Sequence, residues 1–134
     1  MAIISQTSLA RSTPDIVLSN VDCDSSVSVG DWVRMSGGVA VKAQADSLDN
    51  ANIIGLVEYK LNSVKANIRV LGVTPEIFTG LDETKEYFLS AVAAGAMTIQ
   101  GTIPTAPGHV VLKVGQPFSD KRFLVLKGTR MVRA

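Results

Sequence analysis

Four places in this chain carry residue types that could do chemistry. Asp22, Asp24 and Ser26 stand at alternate positions, a spacing that suits oxygen ligands of a calcium loop. Such a loop also needs glycine at its sixth place and glutamate at its twelfth. Those places hold Val27 and Val33, so the match fails and a solvated turn is expected instead. Asp82, Glu83 and Glu86 form a second acidic group. Paired carboxylates hydrolyse glycosidic bonds, but these lie in one turn-like segment without sugar-stacking aromatics, so they read as a surface loop. His109, the one histidine, follows Pro107-Gly108 at a strand start and lacks the sequence partners of a triad or a zinc site. The single Cys23 excludes an internal disulfide and a cysteine metal cluster. No phosphate-cradling loop or dinucleotide fingerprint is present, and Lys42 is not in the hairpin-tip setting of a lipoyl or biotinyl carrier. The reading is therefore no catalytic residue, no metal ligand and no cofactor: a protein that binds rather than an enzyme.

The composition bounds what such a protein can be. A chain of 134 residues supports one domain, or one domain with an arm. Folded, a chain of this size hides roughly two thirds of its unfolded surface, enough for its own core. Apolar residues make up 46% but aromatics only 5%, so that core must be built from Val, Ala, Ile and Leu. The net charge of +1 supplies no global field to draw in a nucleic acid or a membrane. The charge is nevertheless uneven. Residues 1–60 carry −3 and residues 61–134 carry +4, and no acid follows Asp120 in the basic tail of Lys121, Arg122, Lys127, Arg130 and Arg133. Opposed halves suit contacts between copies, although ordinary solvated faces would look the same. Single-strand binding would need exposed aromatics among those basic residues, and only Phe123 stands there. No secretory signal and no bilayer-length apolar run are visible.

The pattern along the chain is of strands and turns. Eleven glycines and five prolines break it into short pieces, and no amphipathic helix is expected beyond two turns. Residues 1–14 read as an extended N-terminal arm, which could add a strand to a partner's sheet with Ile3, Ile4 or Leu9 filling pockets. Strands are expected over Asp15–Leu18, over Val27–Met35 with an interruption at Gly30-Asp31, and over Val39–Ala45 after a Gly37-Gly38 hairpin. In the last, Val39, Val41, Ala43 and Ala45 alternate with Ala40, Lys42 and Gln44. Asn52–Lys60 follows, with Gly55 marking a bulge or a close backbone approach. Lys65–Val73 alternates Ala66, Ile68 and Val70 against Asn67, Arg69 and Leu71, and Thr74-Pro75 ends it. A second hairpin is expected from Glu86–Val92 and Ala96–Gln100 around Ala94-Gly95. His109–Val114, Arg122–Leu126 and Arg130–Arg133 are the final strands. The fold class is all-β: a small β-barrel or β-sandwich-like domain of short antiparallel strands over 15–134, with possible sub-halves 15–75 and 76–134.

Three pieces of the chain carry a resemblance. The first is Gly30-Asp31-Trp32-Val33 with Ser36-Gly37-Gly38-Val39 and Ala43-Gln44-Ala45-Asp46. The second is Ala51-Asn52-Ile53-Ile54-Gly55-Leu56-Val57. The third is Thr79-Gly80-Leu81 with Tyr87-Phe88-Leu89-Ser90, then Gly95, Pro107-Gly108, Val114-Gly115-Gln116 and Ser119. In this order, over residues 30 to 126, they resemble the turn-and-strand layout of small virion proteins of tailed bacteriophages, namely head decoration (cement) proteins and tail-fibre head modules. Lys113, Phe118 and the basic C-terminal strand depart from that layout. The resemblance implies a non-enzymatic structural protein, often trimeric.

From this come the functional expectations. The first is a capsid decoration protein that binds and stabilises the outer shell as a homotrimer. Its partners are the major capsid protein and its own copies, not a membrane or a nucleic acid. It is made in the host cytoplasm and resides on the capsid surface of the virion. The alternative is a tail-fibre or receptor-binding module with a groove for host glycans. Ile3, Ile4, Leu9 and Arg11 are the expected capsid or partner contacts. Trp32, Phe118, Phe123, Arg130 and Arg133 are the expected inter-subunit contacts, with a core role the default for the tryptophan and the phenylalanines.

Overall fold

The computed structural model describes residues 15–134. The expected arm, residues 1–14, lies outside them. The chain is all-β: a curled antiparallel sheet that makes a half-barrel. Five strands come from the first half of the chain: β1 (Ile16–Asp22), β2 (Trp32–Ser36), β3 (Val39–Lys42), β4 (Ile53–Asn62) and β5 (Lys65–Val73). The second half supplies β6 (Tyr87–Leu89), β7 (Met97–Ile99), β8 (Val110–Val111), β9 (Lys113–Pro117), β10 (Phe123–Val125) and β11 (Met131–Val132).

The main sheet runs β3-β2-β4-β5-β10-β9-β6-β7, with β1 also paired to β5, and β8 and β11 pair separately. β5 is the joint between the halves. It pairs with β4 and β1 along Lys65–Leu71 and with β10 at Gly72 and Val73. The next residue makes the joint rigid. Thr74 is fully buried; its N–H donates to the Phe123 carbonyl (2.9 Å) and its hydroxyl accepts from the Phe123 N–H (3.0 Å). On the far side the half-barrel is drawn together by the residues just past β3. The Ala45 N–H donates to the Ser90 carbonyl (2.8 Å), the Gly95 N–H to the Ala43 carbonyl (2.7 Å), and the Val110 N–H to the Ala45 carbonyl (2.9 Å).

The alternating side chains of the first-half strands feed two hydrophobic clusters. Trp32 on β2 and Ile53 and Leu56 on β4 face the larger one, with Tyr87, Leu89, Leu112, Val114, Phe123 and Val125 from the second half. Val33, Ala40, Val57, Ala66 and Ile68 face the smaller one, which Cys23 and Val27 cover from the loop after β1. Since the larger cluster draws on both halves, neither 15–75 nor 76–134 can bury its apolar surface alone.

The strand limits follow the turns. Lys65–Val73 is a strand over its whole expected length, and the Gly37-Gly38 turn (φ +59° and +83°) joins β2 to β3 in register. The Ala94-Gly95 turn likewise sits between β6 and β7, which pair Tyr87 with Ile99. Three expectations change. The one strand expected over His109–Val114 is two, β8 and β9, which break at Leu112 and pair in different sheets. The segment before Gly30 is no strand: it turns back, with the Ser28 N–H donating to the Asp31 carboxylate (2.8 Å), so that Val27 plugs the smaller cluster. The alternation over 39–45 does not put Val39 and Val41 inside. Ala40 is fully buried in the smaller cluster, and Ala43 and Ala45 are buried in the larger one. The chain therefore changes the side it buries between residues 40 and 43, where it leaves β3 for its contacts with 90, 95 and 110.

Candidate functional site

The residues singled out for contact with partners divide three ways. Ile3, Ile4, Leu9 and Arg11 lie outside the described residues. Trp32 and Phe123, expected between subunits, are fully buried at the centre of the larger cluster. Their rings meet edge to face at 5.8 Å, and Phe78 and Tyr87 pack on Phe123 at 6.0 and 5.7 Å. The intersubunit role is corrected for both: with so few aromatics in the chain, the core consumes its largest ones. Phe118, Arg130 and Arg133 do lie at the surface. Phe118 is 58% exposed, with the Arg122 guanidinium 5.2 Å from its ring centre. Arg130 donates to the Leu48 carbonyl (2.9 Å) and Arg133 to the Pro104 carbonyl (2.9 Å), so both hold the C-terminal strand onto the body.

Other apolar side chains are exposed singly. Ile16 and Leu18 lie on β1, Tyr59 and Leu61 on β4 and Val64 in the turn to β5, and they do not share one face: Leu18 stands opposite Ile68 and Tyr59 opposite Asn67. β1 pairs only with β5, and β7 only with β6, among the described strands. β1 therefore keeps unpaired backbone groups on its other border, the arrangement through which sheets recruit further strands, whereas the outer border of β7 is closed at Ile99, whose carbonyl accepts from the Thr102 N–H (3.1 Å) as well as from its hydroxyl.

Beside β7 lies a half-open groove of about 390 Å³. Thr98 of β7, the turn at Ser90–Val92, the loop at Thr102–Ala106 and His109 form its walls. Much of its polarity is already engaged. The Ser90 hydroxyl accepts from the Val92 and Ala93 N–H groups, both at 3.1 Å, and the Thr102 hydroxyl donates to the Ile99 carbonyl (2.8 Å). Val92, at 90% exposure, stands on the rim. The wall contains no Asp, Glu, Lys or Arg. The sequence signalled this place only through His109 and the Ala94-Gly95 hairpin.

The acidic groups serve the backbone. Asp24 accepts from the Ser26 N–H (3.0 Å) and from its hydroxyl, and Asp82 accepts from the Thr84 N–H (3.0 Å) and hydroxyl (2.6 Å). These side-chain bonds, then the backbone ones, hold both carboxyls below their ordinary value of 3.8. Glu86 pairs across strands with Lys113 at 2.6 Å, and Asp22 pairs with Lys65.

One buried charged group went unforeseen. Arg69 on β5 donates to Glu58 on β4 (2.7 Å) and to Asp15 ahead of β1, tying three strands together. Burial works against its charge, but the Glu58 hydrogen bond and the two nearby carboxylates more than offset this and raise its pKa. Set against family models, characterised proteins and solved structures, the chain matches none.

Proposed function

We propose that this chain is a non-enzymatic structural protein of a tailed-phage virion, a decoration protein that self-associates and binds the outer capsid shell. The observation that carries the reading is the unpaired border of β1, together with exposed apolar side chains on β1, β4 and the turn after it. An oligomer satisfies such borders and covers such side chains, and a closed ring does so with one repeated contact. The resemblance over residues 30 to 126 supports the same reading. Three weak contacts made together by one trimer would raise shell binding by about a hundred-fold or more over one contact.

The test is direct. Light scattering of the purified chain should give three times the monomer mass, and the protein should bind undecorated shells in fixed stoichiometry. A monomer that ignores such shells ends the reading. The groove beside β7 favours the second reading, a receptor-binding module, because the threonine hydroxyls on its mainly apolar wall could hydrogen-bond a host glycan. No Phe, Tyr or Trp lines it for sugar stacking, which keeps this reading second. A glycan array separates the two.

A further inference from the structure

Resting on the decoration reading for the identity of the partner, we infer that the groove beside β7 holds an uncharged peptide segment of the shell protein: one small aliphatic side chain together with the amide that flanks it. Ser90 fixes the chemistry. It lines the groove and is only 8% exposed, and its hydroxyl oxygen already accepts from the Val92 and Ala93 N–H groups, both at 3.1 Å. What remains is the hydroxyl proton, for which no described residue supplies an acceptor. A buried donor left unmatched is costly, so a ligand that seats here gains most by bringing a carbonyl oxygen. His109 stands half-buried in the same wall, and a neutral imidazole offers one donor and one acceptor. A carbonyl for Ser90 and an N–H for His109 are the two ends of one secondary amide.

The rest of the wall selects what the amide carries. Ala91, Ile103, Pro104 and Ala106 make a small apolar socket, and Val92 on the rim, 90% exposed, is free to pack on whatever enters. No Asp, Glu, Lys or Arg faces the groove, so a charged side chain would lose its hydration there without a counter-charge. N-acetylated sugars carry the same amide, but two observations favour peptide. No Phe, Tyr or Trp is present to stack on a sugar ring, and the Thr98 and Thr102 hydroxyls are spent, since they bond to each other and Thr102 donates to the Ile99 carbonyl.

The groove is built before anything binds. On one side the Ala45 N–H donates to the Ser90 carbonyl (2.8 Å), the Ser90 N–H to the Ala96 carbonyl (3.0 Å) and the Gln44 side-chain amide to the Ala91 carbonyl (2.8 Å). On the other the Arg133 Nε donates to the Pro104 carbonyl (2.9 Å) and the His109 N–H to the Ala106 carbonyl (3.1 Å). Walls fixed in advance spare the ordering cost of binding. The volume of about 390 Å³ lies within the range of ligand pockets, which begins near roughly 300 Å³.

The test titrates the full-length, nitrogen-15-labelled chain with N-acetyl-valine N-methylamide. Saturable shifts should centre on Ser90, Val92, Ala106 and His109, and N-acetyl-aspartate N-methylamide should bind about tenfold more weakly. Ala106→Arg, at an exposed position of the wall, should remove these shifts, leave the rest of the spectrum in place and weaken binding to undecorated shells by about tenfold. No shift at the solubility limit of the valine probe overturns the inference. So does N-acetylglucosamine that binds the groove more tightly than the valine probe, which would give the groove to a host sugar. Ala106→Arg that binds shells as tightly as the parent overturns it too and leaves the decoration reading standing. A parent chain that takes the valine probe but ignores shells upholds the groove's preference for peptide and ends the decoration reading.

Discussion

The Arg69 guanidinium on β5 and the Glu58 carboxylate on β4 meet at 2.7 Å with side chains only 9% and 11% exposed, so a charged pair bridges two strands at the edge of the core. A buried charge that loses its partner is left in a medium that solvates it poorly. Glu58→Ala should therefore destabilise the fold by about 3 kcal/mol, with Asp15, 65% exposed, compensating in part. The double variant Arg69→Met/Glu58→Leu should fall within about 1 kcal/mol of the parent or above it, because desolvation offsets most of the pair's attraction. Denaturant midpoints at constant slope check both; a single variant as stable as the parent refutes the account.

Phe123 is the hub of the aromatic cluster, contacting Trp32, Phe78 and Tyr87. Phe123→Ala should cost about 3–5 kcal/mol. Trp32 should emit as a buried indole and resist acrylamide quenching at every protein concentration. Quenching that grows as the protein is diluted would return Trp32 to a subunit contact.

Two glycines with positive φ should answer alanine differently. At Gly115 (φ +147°), a Cβ would collide with the Leu124 carbonyl oxygen of the paired strand and crowd the Phe123 ring. Gly115→Ala should thus prevent folding or cost upward of about 3 kcal/mol, from the clash together with backbone strain. At Gly37 (φ +59°) nothing stands within 4 Å, and only the backbone penalty of about 1–2 kcal/mol remains. Thermal melts of the two variants rank them; equal melting temperatures contradict the β9–β10 register.

Acid should act through Asp24 and Asp82. Their folded pKa values lie below 3.8, so each contributes stability that is present above 3.8 and is lost as pH falls through the lowered value. Carbon-detected titration should place both midpoints under 3.8, and Ser26→Ala should move that of Asp24 back up. An unchanged Asp24 midpoint in Ser26→Ala would show that the Ser26 hydroxyl does not hold the carboxylate.

Strand existence was readable because turn chemistry is local. Gly37-Gly38, Ala94-Gly95 and Thr74-Pro75 each interrupt or end a strand for reasons contained in two residues. The turn at Asp24 and Ser26 and the loop at Asp82 were legible in the same way, and each acidic side chain closes its own turn, Asp24 with Ser26 and Asp82 with Thr84.

By themselves, then, the residues in order determined an all-β chain, its short strands and where most of them break, because backbone preference acts over a few residues. Tertiary structure alone decided which face each strand buries. Ala40 rather than Val41 is inside because the smaller cluster lies on the Ala40 side of β3, and the larger one takes up the chain only at Ala43, past the end of the strand. Arg69 is inside because Glu58, eleven places away, and Asp15, fifty-four away, converge on it. The groove beside β7 exists because residues 90–92 and 102–106 meet only once the sheet has curled. Distances through space between residues remote in the chain set all three, and no local pattern encodes them.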